Sequence, residues 1–100
     1  MKNEIPAVDG EKLKELCARY QVRELSVFGS AVRGTLRADS DVDLLVTFED
    51  HAHVTLFTLF DLQAELSSLF GRRADLVPKD GLKPALRNAV LSEARVLYAA

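Results

Sequence analysis

Apolar residues recur at two spacings along this chain. Between residues 10 and 20, Leu13, Leu16, Cys17 and Tyr20 fall at i, i+3, i+4 and i+7, the stripe of an amphipathic helix. Residues 23–28, RELSVF, read as a strand. A polar, glycine-containing stretch, GSAVRGTLRADS, follows, with room for one helical turn. Residues 42–48, VDLLVTF, read as a second strand, with Val42, Leu44, Val46 and Phe48 on one face and Asp43, Leu45 and Thr47 on the other. The loop EDHAH leads into a helix over 55–70, where Leu56, Leu59, Leu62, Leu66 and Leu69 form one stripe, broadened by Phe57, Phe60 and Phe70. That pattern predicts a core helix, and Gly71 stands where its C-terminal cap belongs. Residues 73–77 read as a short strand, and Pro78 with Asp80-Gly81 as a turn. Pro84 suits the first turn of a last helix over 83–94, on which Leu82, Leu86, Ala89, Val90 and Glu93 share a side. The closing RVLY fits a short strand or a docked tail.

The order α-β-turn-β-α-β-α predicts an α/β or α+β sandwich around a small sheet. The short first connection makes the first two strands neighbours, and the helical crossover suits a parallel pair between the second and third. One hundred residues, 48% hydrophobic and 28% charged, are expected to form a single globular domain over 1–100. No apolar run approaches the ~20 residues of a membrane span, so no membrane association is expected. The N-terminal MKNEIPAVDG has no apolar signal region, and the lone Cys17 suits a reducing compartment; both predict a cytoplasmic protein. Cys17 lies on the apolar face and reads as core. A net charge of −2 argues against direct nucleic-acid binding over the surface.

Charge placement changes this picture at one strand. Asp41 and Asp43 stand at the entrance of an apolar run, although aspartate is a poor strand former and costly to bury. At i and i+2 they project together, and two close carboxylates repel unless a cation compensates. Mg²⁺, which takes carboxylate and phosphate oxygens, is the natural compensator. Asp75, in RADLV, repeats the pattern on the third strand. Carboxylates on one face of neighbouring strands, about 4.8 Å apart, can meet around a metal pair. Gly29-Ser30 closes the first strand: the glycine lets backbone turn close to a ligand, and the serine offers a hydroxyl and an N–H to phosphate. Arg33 and Arg37 could add guanidinium donors.

Taken singly, a D-x-D pair is an ordinary strand edge, a Gly-Ser pair an ordinary turn, and two loop arginines are surface residues. Together, Gly29-Ser30, ten intervening residues, Asp41-x-Asp43 and a third strand-borne aspartate fit metal-assisted phosphoryl or nucleotidyl transfer. Elsewhere, His51 and His53 read as a polar loop, with metal binding as the alternative. Arg72-Arg73 reads as a solvated turn, the alternative being that one arginine lies near the site or a partner. Tyr20 and Tyr98 read as core, and Glu93 as a residue that caps or pairs on the last helix.

The block GSAVRGTLRADSDVDLLV resembles the signature of the nucleotidyltransferase superfamily that includes DNA polymerase β: a glycine-serine pair followed, after a spacer, by D-x-D. Chain length and closeness of match resemble, within it, the minimal nucleotidyltransferase (MNT) family, from about residue 10 through ADLV to the LxPALRNAVLSEARVLYA ending. The resemblance implies a polymerase β palm-like α/β fold, a small mixed sheet of three to four strands flanked by helices. It implies that Asp41 and Asp43 hold two Mg²⁺ ions, that Asp75 ligates one of them and helps deprotonate the attacking hydroxyl, that Gly29 and Ser30 contact the nucleotide triphosphate, and that Arg33 contacts phosphate. It further implies transfer of AMP from ATP to a tyrosine of a partner HEPN-domain toxin, with this chain as the antitoxin, in a homo- or hetero-oligomer. Two other functions stay open at this point: an antitoxin that neutralises by contact alone, and transfer to a small molecule with help from a partner subunit. One departure is visible. Many relatives carry arginine directly after the Gly-Ser pair, where this chain has Ala31-Val32, which bears on nucleotide binding and not on the metal site.

Overall fold

Asp9 opens the first helix by accepting the N–H groups of Glu11 and Lys12 at 3.0 and 3.2 Å. The computed structural model describes residues 5–100, and the first four residues of the lead-in lie outside them. Helix α1 (Gly10–Arg19) buries Leu13, Leu16 and Cys17, the stripe its spacing predicts. Strand β1 (Val22–Phe28) runs into one helical turn, α2 (Ser30–Arg33), and strand β2 covers Val42–Phe48. Helix α3 (Leu56–Phe70) begins with a reciprocal cap between Thr55 and Thr58 and ends on Gly71 at φ +69°. Strand β3 (Ala74–Pro78), a 3-10 turn (Lys79–Gly81), helix α4 (Pro84–Glu93) and strand β4 (Arg95–Ala99) complete the chain.

The four strands form one mixed sheet in the order β3-β2-β1-β4. β1 runs antiparallel to β2 and to β4, whereas β2 and β3 are parallel, joined by the α3 crossover. The closing RVLY is therefore a strand, and the α/β expectation of a small mixed sheet flanked by helices holds. Leu25 and Val27 of β1, Val42, Leu44 and Val46 of β2, Ala74 of β3, and Leu62 and Leu66 of α3 are all sealed in one core. Cys17 lies within it, and burial pushes its thiol up to about 11, so it is core and not a reactive thiol. Tyr20 and Tyr98 pack against the same cluster.

Helix α3 also closes the outer edge of the sheet. Ser67 Oγ accepts the Ala74 N–H at 2.9 Å and Gln63 Oε1 accepts the Leu76 N–H at 3.0 Å, satisfying β3 donors that face away from β2. These two bonds flank Asp75 and hold its stretch of strand in place.

Two helices depart from the expected core pattern. In α3 only Leu62, Leu66 and Phe70 are fully buried, while Leu56, Phe57 and Phe60 are 68%, 79% and 61% exposed. The helix meets the sheet through its second half, where Gln63 and Ser67 grip β3, so the apolar stripe outruns the surface it covers. Helix α4 buries no residue fully, and Leu86, on its predicted inner side, is 54% exposed. No helix among the described residues is long and apolar enough to cross a membrane.

Helices α1 and α3 are tied by a polar cluster. The Tyr20 hydroxyl donates to Glu65 Oε2 at 2.6 Å, and Arg19 Nη1 donates to both Glu65 oxygens at 3.1 Å. That hydrogen bond is the main cause pushing the Tyr20 phenol up to about 12 and pulling Glu65 below the usual carboxylate range. A depressed carboxylate contributes stability that is present above its ordinary pKa and lost as pH falls from there through the lowered pKa of the folded state. Because the cluster is half exposed, Tyr20→Phe is expected to cost about 1 kcal/mol or less near neutral pH. Urea melts of both proteins at about pH 7 and about pH 3 should show the gap shrinking in acid; a gap of constant size would discount the Tyr20–Glu65 bond.

Candidate active site

Sheet register assembles the acidic residues. Asp43 is paired with Phe28 across β1 and with Asp75 across β3. Directly opposed residues of a strand pair point to one face, so Asp43 and Asp75 stand side by side on the face opposite Val42 and Leu44. Asp41 lies two residues before Asp43, just ahead of the strand, and shares its parity. Between them, the Val42 N–H donates to the Arg73 carbonyl at 2.9 Å, stitching the entrance of β3 to that of β2.

Gly29 follows Phe28 and meets the same carboxylate. Its backbone sits at φ +76°, ψ −145°, a conformation that side-chain-bearing residues rarely adopt. A Cβ at this position would lie 3.2 Å from Asp43 Cγ and would overlap Oδ2. Glycine is favoured here by torsion, and any side chain would also have to push the Asp43 carboxylate aside. The Gly29 carbonyl accepts the N–H groups of Val32 and Arg33, both at 3.1 Å, which starts α2 with Ser30 as its first residue. Ala31 and Val32, directly after the Gly-Ser pair, are buried, 1% and 8% exposed, and belong to the core.

Electrostatics at the cluster are strained toward negative charge. Burial raises the Asp43 pKa first, the charges of Asp75 and Asp41 raise it further, Arg33 lowers it, and Glu93 raises it. Arg73 Nε lies 3.7 Å from Asp41 Oδ2, an exposed and weak ion pair. Arg33 Nη1 donates to Glu93 Oε1 and Oε2 at 3.1 and 3.2 Å, and the Gly29 N–H donates to Glu93 Oε1 at 3.1 Å. Arg72 Nη1 donates to the carbonyls of Arg37 and Ser40 at 3.0 and 3.3 Å, pinning the loop that delivers Asp41.

The structure therefore brings Gly29, Ser30, Arg33, Asp41, Asp43 and Asp75 to one end of the sheet. Arg37 is exposed in the preceding loop, and His51 and His53 are exposed beyond the far end of β2. Arg72-Arg73 is not merely a solvated turn. Arg73 has the parity of Asp75, two residues on, and that was the available signal for its place at the site. Glu93 had no local signal, because only the β1–β4 pairing brings it here.

Among the described residues, no three acidic, histidine or cysteine side chains are already gathered as a metal-ligand set. Asp41 has Arg73 as its nearby cation. The donor set nevertheless suits a hard divalent cation: Asp43 and Asp75 share one face, Asp41 stands just ahead of them, and the Arg73 beside Asp41 is only weakly paired. Two surface clefts, of about 430 and 510 Å³, lie elsewhere and touch none of the three acids.

Comparison with known proteins is consistent with this geometry. The nucleotidyltransferase domain family matches residues 10–97. Protein adenylyltransferase MntA of Thermococcus cleftensis is 44% identical over 90 residues, which cover 90% of this chain and 89% of the relative. A solved structure described as a candidate minimal nucleotidyltransferase has 45% identity and a TM-score of 0.72 over 86% of each chain. A chain of the solved complex between a tri-AMPylated HEPN toxin of Shewanella oneidensis and an MNT antitoxin matches with a TM-score of 0.65, over 91% of this chain and 70% of that chain; at 19% identity the likeness is one of fold.

Gly29→Ala is expected to cost about 1–3 kcal/mol through its backbone torsion alone, and to push the Asp43 carboxylate out of its row, visible as a lowered melting temperature. Asp43→Asn should act in the opposite sense. Removing a charge that burial and three acidic neighbours disfavour should raise the melting temperature in metal-free buffer near neutral pH by roughly 2–4 °C; a fall would mean that Asp43 is held by favourable partners.

Proposed function

The chain belongs to the nucleotidyltransferase family, among its minimal members, and from that premise we propose that it transfers AMP from ATP to a tyrosine hydroxyl of a partner HEPN-domain toxin, acting as its antitoxin in the cytoplasm. The observation that carries this reading is the Asp43–Asp75 row beside the Gly29 turn. A protein acceptor and an adenylyl donor are supported by the 44% identity to a protein adenylyltransferase, and a HEPN partner by the likeness of fold to an MNT antitoxin bound to an AMPylated HEPN toxin. The reading takes residues 1–100 as one nucleotidyltransferase domain.

In this reading Asp41, Asp43 and Asp75 are the residues that would hold two magnesium ions. When bound, these ions neutralise triphosphate charge and lower the pKa of the acceptor hydroxyl. Gly29 and Ser30 present backbone N–H groups and a hydroxyl to the triphosphate oxygens, and Arg33 adds a guanidinium. Asp75, exposed at the rim of the row, takes the proton of the attacking hydroxyl. The hydroxyl oxygen bonds to the α-phosphorus as the bond between that phosphorus and the bridging oxygen breaks. Pyrophosphate leaves with the electron pair. Asp43, walled by Gly29 and flanked by Asp75, would present its oxygens to the ions and not to the phosphate itself.

The test is to incubate the protein with its purified toxin and ATP labelled at the α-phosphate. Label should appear on the toxin only with Mg²⁺ present. Asp41→Asn and Asp43→Asn should each lower the rate at least about 100-fold, with the fold intact by circular dichroism. Wild-type rates in Asp43→Asn would sink the metal reading. Toxin neutralised without any label would leave an antitoxin that works by contact.

A further inference from the structure

We infer that Glu93 is an internal competitor for the anion seat of the nucleotide, holding the Gly29 turn until a triphosphate displaces it. The inference rests on the reading above, in which Gly29 and Arg33 receive the triphosphate. Glu93 is the last residue of α4, and no assigned role reaches it. The register that pairs Val27 with Arg95 runs on to set Glu93 against Gly29. There its carboxylate takes the Gly29 N–H and both of its oxygens meet Arg33 Nη1, all at 3.1–3.2 Å. These are a backbone amide and a guanidinium, the donors that phosphate oxygens also seek.

The Gly29 amide carries one hydrogen and makes one good bond at a time. A phosphate oxygen at that amide must therefore evict the Glu93 carboxylate. Charge points the same way. Glu93 adds its negative charge to the field at Asp43, so a triphosphate arriving beside it meets one more like charge while it stays. Eviction is feasible because the Arg33–Glu93 pair is partly exposed, with side chains 56% and 25% accessible. The element that carries Glu93 is also free to yield: α4 buries no residue fully, and Glu93 is among its few half-buried side chains. Nucleotide binding is thus coupled to release of the C-terminal end of α4.

Measurement of MgATP affinity without the partner, by calorimetry, separates this role from a structural one. Glu93→Gln should bind MgATP roughly three- to tenfold more tightly than wild type, and in the transfer assay its KM for ATP should fall by the same factor while kcat stays within about twofold. Glu15→Gln, an exposed neutralisation on α1, controls for net charge and should leave affinity unchanged. In wild type, hydrogen exchange over residues 90–96 should speed up when MgATP binds. That readout stands even where the variant folds poorly. Equal or weaker binding by Glu93→Gln, tightening of the same size in Glu15→Gln, or exchange that slows or does not change with nucleotide would each overturn the inference and leave the transfer reading untouched. Failure of wild type to bind MgATP at all would overturn both.

Discussion

Backbone hydrogen bonding between β2 and β3 forces Asp43 level with Asp75, and the rest of the site is organised around that enforced pairing of like charges. Neither aspartate chooses its neighbour; the parallel register does. Burial first, and then the charges of Asp75 and Asp41, push the Asp43 carboxyl above its usual range, so the pairing is resisted. Apolar burial on the other face of the same strands outweighs that resistance. Val42, Leu44 and Val46 are sealed, as are Leu62 and Leu66 above them, and each fully buried side chain of this kind contributes about 1.5–3 kcal/mol. Several such contributions exceed the few kcal/mol that crowded, half-buried carboxylates can cost. The β3 edge is then locked by Ser67 and Gln63, so the strand cannot shift to relieve the repulsion.

The opposite charges nearby are held loosely. Arg73 faces Asp41 at 3.7 Å, and Arg33 is paired with Glu93 and not with the aspartates. Exposed pairs of this sort contribute on the order of 0–1 kcal/mol, so they exchange partners easily. A row of acids fixed by the sheet, framed by a glycine that any side chain would strain and rimmed by exchangeable ion pairs, is an arrangement suited to receiving a charged substrate. The rigid part lies in the sheet. The adaptable part lies on α2 and on α4, the least buried helix.

Much of this was legible in the sequence because it rests on local periodicity. The alternation of Val42, Asp43 and Leu44 indicates both the strand and the side from which Asp43 projects, and the β2 limits agree with the expected ones. The Asp75 position followed from the same parity on a second short run. What stayed hidden depends on long-range packing. The apolar stripe of α3 reads as core along its whole length, but the helix meets the sheet only through its second half, and nothing in the stripe says where the sheet ends. Glu93 reaches Gly29 across 64 positions of sequence, through a β4 strand whose existence the sequence left open. Arg73 was visible by parity to Asp75, yet its place beside Asp41 needs the two strand entrances to be stitched together.

The most direct test of the whole account is a crystal grown with Mn²⁺ and a non-hydrolysable ATP analogue, read by anomalous scattering. Two anomalous peaks within coordination distance of Asp41, Asp43 and Asp75, beside phosphates lying against Gly29, are the expected result. Nucleotide bound away from this end of the sheet, or metal peaks that leave Asp43 and Asp75 unliganded, would contradict it.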